Sequence, residues 1–509
     1  MLSVETNRAW PVAVVEGGGM GRDRQPQAGV QWAERYNRAV GLIEEAQRIA
    51  SPVRLDEAAH ELTGLVSTAD NDADLAVALS MQAVVLLTRH AWAGDIRDLH
   101  RAVAIGLSAV SCCAADRPNA ARDHRSAALA NLANILRSRF EVLGDIGDLG
   151  DAITLGREAL SAQPADATQE RRILSNLSLC LRIRCQVGGS LNDIGEAITL
   201  GERAAVLTSS GQPERAAVLS NLGGAYQVKH ERSGDMGALN RAIECGREAL
   251  RSSAPDDPFR ASILSNLGSA LQIRAERLGH SQDITEAIGM ARAAVAATPA
   301  DDPGRIPRLA NLATAYLTRF DHDGDLADLD EAVDAATRAL NETNPADPAL
   351  AGRASNLSAA LRTRFERTRK DQDLDGALAA ARQAVAAAGE DRAVRTAYLS
   401  SLGTALRARY QRAHQGCDVR EAEGAFRAAL EALPVDDPDR AAVLSNLGAT
   451  LYEHYEREPD PGLASQAEDA FRMASGVVTA RPRVRVAPRA GVAGDGAGPA
   501  AAPGYRCPG

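Results

Sequence analysis

The stretch AVLSNLGATL at residues 442–451 nearly repeats AVLSNLGGAY at residues 217–226. The two stretches lie 225 residues apart, which is five steps of 45 residues. Stepping through the chain at that period meets Asn at seven of eight positions: Asn131, Asn176, Asn221, Asn266, Asn311, Asn356 and Asn446, with Ser401 at the eighth. The next position is Leu in every unit, from Leu132 to Leu447. A fixed period of this length indicates a repeat protein.

Each unit contains two helical patterns. In LSNLGSALQIRAERLG at residues 264–279, leucines recur on one helical face, which predicts a first helix, helix A. In DLGDAITLGREAL at residues 148–160, a second apolar stripe predicts helix B. Two positions of helix B are Ala in every unit, from Ala152 to Ala467 and from Ala159 to Ala474. Side chains of methyl size let helices A and B approach closely.

Charged residues also recur with the period. An Asp column at the start of helix B is expected to accept hydrogen bonds from the free amides of that helix; its members are Asp148, Asp193, Asp283, Asp328, Asp373 and Asp418. A basic column in helix A is expected to pair with acids close by, such as Glu141, Glu231, Glu276, Asp321 and Glu366; its members are Arg139, Arg184, Lys229, Arg274, Arg319, Arg364, Arg409 and His454.

The sequence predicts an all-α chain, because isolated helix pairs of this kind cannot bury their apolar stripes and must stack on their neighbours. We expect five parts: a disordered leader at residues 1–27, a degenerate helical unit at 28–78, an irregular repeat at 79–128, eight 45-residue repeats at 129–476 with the last one partial, and a disordered tail at 477–509 that is rich in Ala, Gly, Pro and Arg.

The repeat resembles the tetratricopeptide repeat, or TPR. The family's Leu and small residue in helix A, its two Ala in helix B and its closing Pro match Leu132, Ala133, Ala152, Ala159 and Pro164. The resemblance covers about residues 79–475, with the period stretched from 34 to 45 residues. The longer form is similar to repeats of kinesin light chains and to arrays that precede caspase-like CHAT protease domains in actinobacterial proteins. The resemblance implies a right-handed TPR-like α-solenoid.

Charge and composition disfavour several classes of partner. The net charge is −10, and the last 29 residues carry five Arg and one Asp, which leaves −14 on residues 1–480. Such a body repels nucleic acid and anionic membranes, and 3% aromatic residues offer little for base stacking. No run approaches the roughly 18 apolar residues of a membrane span. Seven cysteines without regular spacing predict neither a disulfide framework nor a zinc site, which favours a reducing cytoplasm.

No motif indicates catalysis. EGGGMG at residues 16–21 lacks a preceding strand and the Lys-Ser/Thr of a phosphate-binding loop. The nine His are scattered without metal-ligand spacing. We therefore expect no catalytic, cofactor or metal site, and a protein that is not an enzyme.

The resemblance implies that helix A lines the concave side and that the seven recurring Asn face the groove. An Asn side chain can pair with the amide of an extended peptide. It can equally bond to neighbouring helices and fix repeat geometry, and both interpretations are open. Four arginines lie six residues after the Asn position and should point inward, where they are candidate ligand contacts: Arg137, Arg182, Arg362 and Arg407. They predict a partner segment that carries acidic groups.

Two functions are compatible with the sequence. The first is a non-enzymatic scaffold or sensor that binds a protein or peptide segment in its groove and regulates a CHAT-type protease or signalling partner on another chain. The alternative is the recognition region of a CHAT protease whose catalytic domain is lost by truncation or frameshift. The abrupt change of composition after about residue 477 supports the alternative. The sequence leaves the partner and the oligomeric state open.

Overall fold

The computed structural model describes residues 26–476, apart from residues 50, 115–118, 213, 258, 301, 390, 391, 435, 436 and 438. The predicted tail at 477–509 and all but the last two residues of the predicted leader lie outside the described residues. Residues 26 and 27 begin the first helix.

The described residues form twenty helices and no strand. In chain order the helices are α1 (Pro26–Ile49), α2 (Pro52–Ser67), α3 (Asp72–Ala93), α4 (Ile96–Cys112), α5 (Asn119–Leu143), α6 (Ile146–Ser161), α7 (Ala167–Gln186), α8 (Leu191–Val206), α9 (Arg215–Ser233), α10 (Met236–Ser252), α11 (Arg260–Leu278), α12 (Ser281–Ala296), α13 (Arg305–Asp323), α14 (Leu326–Asn341), α15 (Leu350–Thr368), α16 (Asp371–Ala387), α17 (Arg392–Ala413), α18 (Gly416–Ala432), α19 (Arg440–Arg457) and α20 (Pro461–Gly476).

The helices pack as ten consecutive hairpins. Each odd-numbered helix packs on the even-numbered helix that follows it, and each hairpin packs on the next one. The predicted helices A and B of the regular repeats are the odd and even helices from α5 to α20. The prediction of an all-α solenoid of stacked helix pairs is confirmed.

The invariant small residues lie where helices A and B touch. All eight members of the column from Ala152 to Ala467 are buried. In the hairpin of α11 and α12, a methyl group added to Gly268 would lie 3.3 Å from the carbonyl oxygen of Ala287. The two backbones are therefore too close for larger side chains, which explains the fixed Ala in helix B and the small residue opposite it.

Six of the eight residues in the basic column of helix A pair with the Asp column of helix B, and not with the nearer acids expected from the sequence. Lys229 pairs with Asp235 instead, and His454 with Glu423. Arg319, for example, donates from Nε and Nη2 to the two carboxylate oxygens of Asp328 at 2.8 and 2.5 Å. The same two-bond contact spans nine residues in seven hairpins: Arg89–Asp98, Arg139–Asp148, Arg184–Asp193, Arg274–Asp283, Arg319–Asp328, Arg364–Asp373 and Arg409–Asp418. It fixes the angle between the two helices of a hairpin.

The prediction that these aspartates cap helix B was wrong. The capping residue lies three positions earlier, as in α6, where the Asp145 carboxylate accepts from the amide of Gly147 at 2.9 Å. The aspartates of the column occupy the third helical position and are buried, where the arginine neutralises them. Sequence spacing alone placed the start of helix B one turn too late.

These ion pairs predict a pH dependence of stability. Hydrogen bonds from Arg184 and Arg274 hold the pKa of Asp193 and Asp283 below the usual range for Asp. Because the folded pKa is depressed, this stabilisation is fully present above the unfolded pKa of about 4 and is lost as the pH falls through the folded value. We expect Asp283→Asn to lower the free energy of unfolding at pH 7, and the difference from wild type to shrink at pH 3. Urea unfolding at both pH values, with the exposed Asp334→Asn as control, measures this.

Arginines also close the ends of helices B. Arg260 donates to the carbonyl oxygens of Leu250 and Ser253 at the end of α10, at 3.4 and 2.9 Å. Arg215, Arg305 and Arg440 make the equivalent contacts with the end of the helix B that precedes each of them. These bonds satisfy carbonyl groups that a helix end leaves unpaired, and they attach each hairpin to the next.

Contacts between hairpins identify the inner face of the solenoid. Short side chains join consecutive helices A, as where Asn311 on α13 donates to Ser265 on α11 at 3.2 Å. Long side chains join consecutive helices B, as in the pair of Arg247 on α10 and Glu286 on α12. The helices A are thus closer together than the helices B, so the stack curves with helices A on its inner side.

Helix α3 is long and apolar enough to cross a membrane by length and composition, although the sequence analysis found no such run. In the structure 56% of its most apolar 18-residue stretch is buried, and the helix packs against α2, α4 and α5. It is a core helix of the solenoid.

Candidate functional site

The recurring Asn side chains lie between consecutive helices A. The Nδ2 groups of four of them donate to a serine hydroxyl of the preceding helix A, at 2.9 to 3.3 Å: Asn131 to Ser80, Asn221 to Ser175, Asn266 to Ser220 and Asn311 to Ser265. These bonds support the interpretation that the Asn column fixes repeat geometry. Each bond uses one of the two N–H donors of the Asn side-chain amide.

The Asn side chains are not equally accessible. Asn131, Asn221 and Asn311 are buried, Asn176, Asn266 and Asn446 are half-buried, and Asn356 is exposed. For Asn176 and Asn356, the position that would supply the serine hydroxyl is Ala130 or Ala310, so that bond cannot form.

The four candidate arginines contact residues of their own helix A or of the next one. Arg137 donates to Asn134 at 2.9 Å and pairs with Glu141. Arg362 pairs with Glu366, one turn further along α15. Arg407 donates from Nε and Nη2 to Glu453 on α19, at 3.0 and 2.9 Å. Three of the four therefore already contact a carboxylate of this chain.

Arg182 is the exception. Its Nη1 donates to Gln186 at 3.3 Å, its side chain lies across Gly224 of α9, and its Nε is buried without a hydrogen-bond partner among the described residues. Burial lowers the pKa of this guanidinium to about 10. Arg182 and Arg137 are both buried, so a ligand cannot reach either without a change of structure.

Two parts of the inner face differ at one position of helix A, which we call the deciding position. Seven residues after the Asn position, α7, α9 and α11 carry Ile183, Val228 and Ile273, which are all buried. These apolar side chains draw neighbouring helices A together and remove their contact surface from water. The inner positions beside them are buried as well: Ser175, Arg182, Ser220, Gln227, Ser265 and Gln272. Helix α5 carries half-buried Ser138 at this position, but Asn131, Asn134 and Arg137 on its inner side are buried. We therefore call the inner face of α5, α7, α9 and α11 the closed half.

The inner face of α13, α15, α17 and α19 is different, and we call it the open half. At the deciding position these helices carry Thr318, Thr363, Ala408 and Glu453, which are only half-buried. Inner residues that are exposed in this half include Asn356, Ala359, Ala397, Ala442 and Ser445. This half offers a shallow surface of alanine, serine, threonine and asparagine, which larger half-buried side chains flank six residues after the Asn position: Leu317, Arg362, Arg407 and Tyr452.

Acidic side chains follow one rim of the inner face. Exposed carboxylates recur at Glu231, Glu276, Asp321, Glu366 and Glu456. Partial desolvation by neighbouring side chains and the negative charge of Glu276 raise the pKa of Asp321, although its side chain reaches solvent. Some of these acids have hydrogen-bond donors close by, since Gln272 donates to Glu276 at 2.9 Å and Gln227 to Glu231 at 3.0 Å. A basic residue follows each of these acids in the sequence: Arg232, Arg277, His322, Arg367 and Arg457.

Within the described part of the chain, no group of three or more His, Cys, Asp or Glu side chains could hold a metal ion. The six cysteines that the structure describes are free, and Cys113, Cys180 and Cys185 are buried.

The chain matches no protein-family model and no curated protein. Among solved structures it is similar to kinesin light chain TPR-like repeats of Podosopora anserina, at 19% identity over 42% of this chain and 95% of that chain, with a TM-score of 0.31. A TPR repeat-containing protein of Cytophaga hutchinsonii matches at 13% identity over 61% and 99%, with a TM-score of 0.37. A human IFIT1 dimer matches at 15% identity over 88% and 83%, with a TM-score of 0.43. All three TM-scores lie below 0.5.

Proposed function

We propose that this protein is a non-catalytic scaffold or sensor that binds a segment of another protein on the open half of its inner face. The observation that supports the proposal most is the change at the deciding position from buried Ile and Val in α7, α9 and α11 to half-buried Thr and Ala in α13, α15 and α17. An extended chain can approach the helices closely there, because the exposed residues Ala359, Ala397 and Ala442 are small.

The candidate contacts then divide between the two halves. Asn356 and Asn446 belong to the open half and offer amide donors and acceptors to a bound main chain. Arg362 and Arg407 form part of its wall. Asn131, Asn176, Asn221, Asn266, Arg137 and Arg182 belong to the closed half, and Asn311 is buried at the border, so their proposed role is to hold the helices A in register.

We also propose that the bound segment carries acidic groups. A partner carboxylate at Arg362 or Arg407 would exchange with Glu366 or Glu453, so it gains less than it would from an unpaired cation. The net charge of −14 on residues 1–480 disfavours nucleic acid as the ligand. The proposal that the partner is a protease or signalling protein on another chain rests on the resemblance alone. The free cysteines support a reducing, cytoplasmic setting.

Blocking the open half tests this proposal. Ala359 is exposed on α15 toward the inner side, and Ala379 is exposed on α16 of the same hairpin, on the outer side. We expect Ala359→Trp to abolish binding of the partner proteins that wild type captures from cell extract, because the indole fills the shallow surface. Ala379→Trp, the matched control, should capture them like wild type. Quantitative mass spectrometry of the captured proteins measures this, and equal capture by both variants would exclude the open half as the binding surface.

A further inference from the structure

The last hairpin, α19 and α20, has an uncovered side. In earlier hairpins the following helix A covers this side of helix B: a methyl group added to Gly246 of α10 would lie 3.1 Å from Leu267 of α11. Phe426 takes the position of Gly246 in α18 and is fully buried. Phe471 takes it in α20 and is 44% exposed, since no helix follows α20 among the described residues. Helix α20 thus presents to solvent a side that the other helices B bury.

Two further positions of the last hairpin show the same change. Ala474 is half-buried, whereas the seven Ala before it in its column, from Ala159 to Ala429, are all buried. Tyr455 on α19 is half-buried, whereas Tyr410 at the same position of α17 is buried. The last unit of a solenoid needs a polar outer surface, and these side chains do not supply one.

A carboxylate lies on the same side of α20. In α18, Glu423 is buried and its Oε1 lies 2.7 Å from Nδ1 of His454 on the following helix A. Glu468 occupies this position in α20 and is exposed, and Phe471 and Ala474 follow it at steps of three residues. We call the set of four residues on this side the end face: Tyr455, Glu468, Phe471 and Ala474.

Charge indicates what covers the end face. Residues 440–476 carry six acidic residues and three Arg, a net charge of −3 with His neutral. The chain that follows, VVTARPRVRVA at residues 477–487, carries three Arg and no acidic residue, and we call it the basic segment. A second copy of the chain would bring like charge to the end face, whereas the basic segment brings the opposite charge.

The basic segment also has the length and the register to reach the end face. Seven residues, 433–439, join α18 to α19, and residues 477–483 form a stretch of equal length after α20. At the start of α19, Arg440 donates to the carbonyl oxygens of Leu430 and Leu433 at 2.8 and 2.9 Å. Arg485 follows Arg440 by one period of 45 residues. It is therefore in register to bond to the carbonyl groups at the end of α20.

We propose that the basic segment folds back as an extended chain and covers the end face. Arg and Val alternate at residues 483–486, so an extended chain has one apolar side, which packs on Phe471 and Tyr455. The long arginine side chains reach Glu468 from the edge of this contact. Pro488 and the glycines after it disfavour a further helix A. This inference is independent of the binding proposed for the open half.

Thiol labelling of the full chain tests this contact. Ala474 is changed to Cys in a chain whose Cys417 and Cys507 are Ser, and maleimide labelling at 474 is followed. We expect the thiol at 474 to react at least about tenfold more slowly than in the same chain with all three arginines of the basic segment changed, as Arg481→Glu, Arg483→Glu and Arg485→Glu, because the segment must detach before the reagent enters. The matched control, Arg489→Glu with Arg506→Glu, reverses charges of the same tail outside the basic segment and should leave the slow rate unchanged.

A charge exchange makes the test specific. Adding Glu468→Arg to the triple variant should restore slow labelling, because opposite charges then meet again. In a chain without the Cys changes, hydrogen exchange of α20 should be faster in the triple variant than in wild type. Equal labelling with and without the three arginine changes would overturn the proposal. So would slow labelling that depends on protein concentration, since a second copy would then cover the end face.

Discussion

Replacing Arg319 with Ala should destabilise the hairpin of α13 and α14 by about 3 kcal/mol, because it leaves the carboxylate of Asp328 buried without its cation. The Asp328 side chain is 3% exposed and that of Arg319 30%. Arg319 also lies 5.7 Å from the ring centroid of Tyr316, a contact that is lost with it. Stability in a solenoid is a sum over neighbouring units, so the loss is local. Hydrogen exchange of α13 and α14 measures it.

Two further variants make this prediction specific. Arg382→Ala removes an exposed pair with Glu421 between helices B and should cost less than about 1 kcal/mol. The double variant Arg319→Ala with Asp328→Ala removes both charges and should recover a large part of the loss. If Arg319→Ala lowers the free energy of unfolding by no more than Arg382→Ala does, the Arg–Asp contact does not hold the hairpin together.

Converting the open half into a closed half should abolish binding of the partner segment. The triple variant Thr318→Ile, Thr363→Ile and Ala408→Ile gives α13, α15 and α17 the apolar position that closes α7 and α11. Each Ile gains roughly 1 kcal/mol or more from burial, so the variant should be more stable than wild type while losing its partners. Affinity capture and thermal melting measure the two effects together.

Exposed threonines on the outer side provide the control. Thr154→Ile, Thr199→Ile and Thr285→Ile add apolar groups to helices B and should leave capture unchanged. If the inner triple variant still captures the partners of wild type, then neither the deciding position nor the open half governs binding.

Periodicity in the sequence was sufficient to predict the hairpins. The Leu and Ala columns recur at a fixed step, and the small Ala side chains mark the face on which helix B packs against helix A. The partner of the Arg column was not predictable in this way. Arg319 and Asp328 are nine residues apart across a turn, and only the folded hairpin brings their side chains together, whereas Asp321 is nearer in sequence but lies on the rim.

The candidate site was predicted less well, for a physical reason. Which side chains of a helix face solvent and which face the next helix depends on the angle between hairpins, and a helical wheel does not contain that angle. Arg137 and Arg182 were expected in an open groove but are buried between helices A. The sequence does contain the difference between the halves, since the deciding position holds Ile183, Val228 and Ile273 in one and Thr318 and Thr363 in the other. That this position lies between consecutive helices A is visible only in the folded chain.

Thiol labelling at one repeat position tests the central claim, that one half of the inner face is closed and the other open. Ser269 on α11 and Ala359 on α15 occupy the same position of helix A, three residues after the Asn, and only Ala359 is exposed. Each is changed to Cys in a chain whose Cys417 and Cys507 are Ser, and maleimide labelling is followed peptide by peptide. The thiol at 359 should react at least about tenfold faster, because labelling at 269 requires the helices to separate. Equal rates at the two positions would contradict the account.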